Sequence, residues 1–110
     1  MTDNEIFAQA QRMVSWLDAR NGDSPHETAM RLLKMAEEVG EVTQAYLGMT
    51  GQNPRKGVTH TASDVAMELC DVIITAAVAL HGFTDDPPAF ALDYISNRKD
   101  RLEKLMEGVA

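Results

Sequence analysis

From Val65 to Leu80 the chain reads VAMELCDVIITAAVAL, a run in which only Glu68, Asp71 and Thr75 interrupt apolar side chains. Such a run predicts a helix, and a helix apolar on every side is expected to be buried. A carboxylate inside it is costly unless it is paired, hydrogen-bonded or bound to a cation. Glu68 and Asp71 stand three residues apart and so share a helical face. Like charges that close raise each other's pKa unless a positive charge intervenes. A second acidic set, Glu37-Glu38-x-x-Glu41, lies upstream. Five carboxylates on two helices predict a site for a hard divalent cation.

The pattern along the chain predicts an all-α protein of four helices and no strand, in a single domain over residues 1–110. The first helix is expected from about Asn4 to Ala19, with Ile6, Phe7, Ala10, Met13, Val14 and Leu17 at helical spacing. Asn21-Gly22-Asp23 closes it as a turn. Ser24-Pro25-His26-Glu27 reads as a capping box with proline at the first helical position, opening a second helix that runs to about Leu47 and stops before Gly48. Residues 49–60 form a polar loop. A third helix is expected from Thr61 or Ser63 to a cap at Gly82, and a fourth from the prolines after Asp86 to about Met106.

Charge and composition narrow the function. Seventeen acids against ten bases give a net charge of −7, which disfavours a nucleic-acid polymer, because phosphate backbones need a basic surface. A nucleotide is compatible, since a bound metal can escort its phosphates. The single cysteine, Cys70, excludes an internal disulfide framework and fits a reducing cytoplasm. No basic region followed by an apolar stretch marks the N-terminus, so no signal peptide is expected. The Val65–Leu80 run is too short, and too acidic, for a membrane span. With 45% hydrophobic residues in so small a chain, the core is expected to be completed by association into a homodimer or homotetramer.

The acids are spaced for a shared cation. At about 100° per residue, Glu37 and Glu41 lie about 40° apart and Glu38 and Glu41 about 60° apart around the helix. Hard cations such as Mg²⁺ or Mn²⁺ take oxygen ligands. His26, His60 and His81 are scattered and Cys70 faces another side, which argues against zinc. The competing explanation for the second helix is a solvated, salt-bridged face, since Arg31 and Lys34 share the side of Glu38 and Glu41. The apolar surroundings of Glu68 and Asp71 weigh against it.

Glu37-Glu38-x-x-Glu41 followed, after a gap of 26 residues, by Glu68-x-x-Asp71 resembles the signature of the MazG-like, all-α nucleoside triphosphate pyrophosphohydrolases. Residues 33–80 carry most of the likeness, and the four-helix plan extends it over nearly the whole chain. The resemblance implies a four-helix bundle and Mg²⁺-dependent cleavage of an NTP or dNTP into monophosphate and pyrophosphate, a nucleotide-pool housekeeping reaction. Glu38, Glu41, Glu68 and Asp71 match the family's metal ligands. Glu37 matches a more variable position that binds a second metal or orients the attacking water, and Asn97 matches an asparagine near the substrate phosphates. Where many relatives place a lysine one turn earlier, this chain has Asp93 and Tyr94. Phosphate contacts then fall to Arg98, Lys99 or Arg101, or to Arg55 and Lys56 in the loop. The alternative is a catalytically weak helical module that binds metal or nucleotide.

The loop Thr50-Gly51-Gln52-Asn53-Pro54-Arg55-Lys56-Gly57 has the composition of a lid over phosphates, but not the order of a P-loop. His60 is placed as a cap or an exposed residue. Trp16, Cys70 and the methionines are expected in the core, although an aromatic ring such as Trp16 is also able to stack on a base.

Overall fold

The computed structural model describes residues 4–108; every regular element among them is a helix, and none is a strand. Helix α1 spans Asn4–Asn21, α2 Pro25–Thr50, α3 Ala62–Leu80, α4 Pro87–Asn97 and α5 Lys99–Met106. None is long and apolar enough to cross a membrane.

The centre of the fold is α3, the most apolar of the five. Helix α2 packs along one side of it and α1 along another. The α2–α3 pair is antiparallel: Gly82 lies against Thr28, Glu68 beside Glu38 and Glu41, and His60 against Gly48. Helix α1 runs the same way as α3. Glu5 and Gln9 lie beside Cys70 and Asp71, and the Gln11 side chain meets the His81 ring at the other end, 3.2 Å from Nε2. Small side chains permit these approaches. Ala10 and Val14 of α1 bury against Ala77 and Val78 of α3, flanked by Phe7, Leu17 and Ile74.

Side chains at the helix ends satisfy the backbone donors that a helix leaves free. At α3 the Thr61 hydroxyl accepts from the Asp64 amide, and Asp64 Oδ2 accepts from the Thr61 amide at 2.8 Å, a reciprocal capping box. The Ser24–Glu27 box is only half of that. Ser24 Oγ accepts from the Glu27 amide, but the Glu27 carboxylate turns instead to Asn21 and Arg31. Arg31 then ties the end of α1 to the start of α2, bonding Glu27 and Asp18 at 2.9 Å each and the Gly22 carbonyl at 3.0 Å.

Two glycines do work that their sequence positions disguise. Helix α2 does not stop at Gly48; it continues to Thr50 and ends on Gly51, whose φ of 67° is the left-handed cap. Gly48 is bare because Thr59 and His60 lie where its side chain would stand. Gly82 is likewise no left-handed cap. A Cβ there would lie 2.6 Å from Thr28 Cγ2, so its role is the close approach of α2 to the turn after α3. The expected fourth helix is interrupted at Arg98, where the backbone stays right-handed, dividing it into α4 and α5.

The largest departure from expectation is burial. Met67, Leu69 and Ile73 of α3 are about half exposed, as is Trp16, which carries the Arg20 guanidinium 5.0 Å above its ring. Cys70 is exposed too. Two neighbours cannot cover a helix that is apolar all round, and α4 reaches chiefly α1.

Candidate metal centre

Antiparallel packing sets the middle of α2 opposite the first half of α3. Glu38 and Glu41, one turn apart on α2, meet Glu68 of α3 there. One carboxylate oxygen from each lies within 4.8 Å of the other two. All three side chains are half-buried. Glu68 Oε2 is wholly shielded and, among the described residues, accepts no hydrogen bond. A buried acceptor with nothing to accept is rare, and two further carboxylates beside it deepen the deficit.

Electrostatics carry the same sign. Burial pushes the Glu38 carboxyl above the usual glutamate range, and the neighbouring charges of Glu41 and Asp71 add to the rise, with Lys34 opposing. Lys34 Nζ lies 3.0 Å from Glu37 and 3.7 Å from Glu38. It is bound foremost to Glu37, whose hydrogen bond is the main cause of its raised pKa.

The five acids of the sequence pattern therefore divide. Glu38, Glu41 and Glu68 converge. Asp71, one turn beyond Glu68, is exposed; its charge is felt at Glu38, but its oxygens lie outside the close set. Glu37 is 63% exposed and turned to Lys34. Among the described residues no hydrogen bond or ion pair joins Asn97, Lys99, Arg55 or Lys56 to these acids. Arg55 and Lys56 sit exposed on a turn closed by Asn53, whose Oδ1 accepts from the Arg55 amide and whose carbonyl accepts from Lys56 and Gly57. His60 binds the Thr59 hydroxyl at 2.8 Å and packs on Gly48. Asn97 and Lys99 lie where α4 gives way to α5.

Sequence reasoning missed a cavity. A recess of about 450 Å³ opens between α1, α2 and α3, walled by Met13, Leu17, Met30, Ile74 and Val78 and edged by Asn21, Glu27, Arg31, Lys34 and Thr75. Lys34 belongs both to this rim and to the acidic centre. An apolar recess with a few polar groups on its rim is the usual form of a small-molecule site. The available signal was Thr75, the one neutral polar residue in the α3 run.

The donor set fits a hard divalent cation. Three carboxylates converge, one of them carrying an orphaned buried oxygen, and among the described residues no histidine or cysteine joins them. Comparisons with protein-family models, with curated proteins and with solved structures return no match.

Proposed function

We propose that this chain is a Mg²⁺-dependent nucleoside triphosphate pyrophosphohydrolase, with Mn²⁺ as the other suitable ion, converting an NTP or dNTP into its monophosphate and pyrophosphate. The reading rests above all on one observation: Glu38, Glu41 and Glu68 converge half-buried, and Glu68 Oε2 has no partner among the described residues. These three residues would hold the cation, with Asp71, whose charge is felt at Glu38, assigned as the fourth ligand. When bound, such an ion neutralises triphosphate charge, stabilises charge on the phosphoryl oxygens and lowers the pKa of bound water.

The chain's own residues supply the rest. Glu37, outside the convergent set, is the carboxylate free to orient a water and accept its proton once it releases Lys34. Lys34, on the rim of the recess, is placed to exchange its carboxylates for a phosphate oxygen. The apolar recess beside it is suited to the base or sugar. Asn97, Lys99, Arg55 and Lys56 are assigned to the phosphates, reaching them in a homodimer or homotetramer that completes the four-helix bundle. Phosphoryl transfer asks chiefly for positioning and positive charge, which is the service these residues provide.

The test is pyrophosphate release from a panel of canonical and modified NTPs and dNTPs, with Mg²⁺ or Mn²⁺ and with EDTA. Metal-dependent release that disappears in Glu68→Gln is the expected result. A second reading, a metal- or nucleotide-binding helical module without turnover, is favoured by the Lys34–Glu38 approach of 3.7 Å, which already offsets part of the site's charge. It predicts no release from any substrate, with cation binding retained.

A further inference from the structure

A chain of this mass, 12.1 kDa, is expected to expose about 6,000 Å² when folded compactly and to have a radius of gyration of about 13 Å. This one exposes 8333 Å² and has a radius of 17.4 Å. The excess, roughly 2,300 Å² per chain relative to the compact expectation, is the amount a large permanent dimer buries. Part of it is gathered in one place. A groove of about 650 Å³ runs between α1, α3 and α4, and every residue lining it is apolar, Ile6, Phe7, Ile73, Leu80, Leu92 and Ile95 among them.

The same molecule carries a helix with nothing to rest on. Helix α5 makes its main contacts with α4 alone, and an isolated helix of eight residues is marginal in water. Leu102, Leu105 and Met106 form one edge of it, all exposed, and Arg98, Lys99, Arg101 and Lys104 supply its charge. Residues 98–108 hold four bases against three acids, whereas residues 1–97 carry a net charge of −8. An apolar edge on a faintly basic arm matches an apolar groove on a strongly acidic body.

We propose that the α1–α3–α4 groove is filled by α5 of a second copy of this chain, each copy lending its C-terminal arm to the other. A two-fold arrangement of that kind closes on itself and leaves neither arm nor groove open. The docking does not depend on the chemistry proposed for the acids; a chain that stays monomeric would remove the phosphate contacts assigned to Asn97, Lys99, Arg55 and Lys56 but leave Glu38, Glu41 and Glu68 as the cation site.

Sedimentation velocity on the full chain over a range of concentrations decides it, using the wild type, the groove variant Ile73→Glu and the arm variant Leu102→Glu/Leu105→Glu. The wild type is expected to be dimeric at micromolar concentration. Each variant should raise the dissociation constant by about 100-fold or more, as charge placed in the centre of an apolar interface does, with helical circular dichroism retained. All three substituted side chains are exposed within one chain, so a folded monomer has no reason to lose them. In a Cys70→Ser background, a mixture of Leu105→Cys and Ile73→Cys chains should form a disulfide-linked heterodimer, and neither should cross-link as fast alone. If Ile73→Glu unfolds, the arm variant and the cross-link still give the answer. A wild type that stays monomeric, an arm variant that associates like the wild type, or no preference for the mixed disulfide overturns the proposal.

Discussion

Glu27 and Glu38 lie three turns apart on the same helix, and each leaves 13% of its side chain exposed. Their titrations shift in opposite directions. Hydrogen bonds from Arg31 and Asn21 hold the Glu27 carboxyl below the usual glutamate range. Burial, compounded by the charges of Glu41 and Asp71, pushes the Glu38 carboxyl above it. Equal burial thus has opposite consequences, decided by whether donors or acceptors surround the group. Helix α3 repeats the contrast within a single turn. Asp64 is satisfied by Thr61 and its pKa is lowered, while Glu68, four residues on, has a shielded oxygen with no partner among the described residues. One set of acids is finished as structure, and the other needs something more.

The sharpest way to separate the two sets is to neutralise one acid in each. Glu68→Gln should reduce pyrophosphate release by about 10³-fold or more, as expected when a metal ligand acting in the transition state is lost. It should leave the melting temperature unchanged or raised, because like charges are relieved. A marked loss of stability would mean that the acidic centre is as structural as the Arg31 network.

Arg31→Ala tests the other side. It strands Asp18, Glu27 and the Gly22 carbonyl together, and thermal unfolding should show a fall of about 5–10 °C. Catalysis per folded molecule should change far less than in Glu68→Gln. Between these effects lies the response to ligand. Mg²⁺ or Mn²⁺ at a hundred times its dissociation constant should stabilise the wild type by about 2.7 kcal/mol, the Arg31 variant equally, and Glu68→Gln hardly at all. Differential scanning calorimetry with and without EDTA reads all three.

The pH dependence separates the sets by sign. Glu38, with its folded pKa raised, favours the fold while protonated; that contribution is lost as pH rises past the usual glutamate range and through its folded pKa. Glu27 and Asp64, with folded pKa values lowered, stabilise above the usual carboxylate range, and their contribution is lost as pH falls through the lowered values. Without metal, melting temperature against pH should therefore fall on both sides of a mildly acidic maximum. Glu38→Gln should flatten the upper limb and Glu27→Gln the lower. The smallest effect is that of Thr61→Ala, which opens the α3 capping box and should cost about 1 kcal/mol in a denaturation experiment.

Much of this was legible in the residues alone. Proline after Ser24 and after Asp86 marks the start of α2 and of α4, and the four- and three-residue spacing of the acids places them on shared helical faces. Those signals are local, and local backbone rules act on neighbours in sequence. Gly48 and Gly82 look like stops on the same rules, but each is there for a side chain far along the chain, His60 in one case and Thr28 in the other. The burial expected of Trp16, Cys70 and the outer stripe of α3 failed for a related reason. Hydrophobicity says that a side chain gains by being covered, and only the arrangement of helices says what covers it.

By itself, then, the sequence determined that the chain is helical, where most helices begin, and that carboxylates sit in an apolar setting. Tertiary structure alone decided which of the five acids converge. Helical phase confines Glu37, Glu38 and Glu41 to one side of α2, but the register of α2 against α3 is set by packing over the whole length of the pair, from Gly48 beneath His60 to Gly82 beneath Thr28. That register puts Glu68 opposite Glu38 and Glu41, leaves Glu37 to Lys34, and holds Asp71 at the edge, because distances across a helix pair depend on contacts that no local spacing contains.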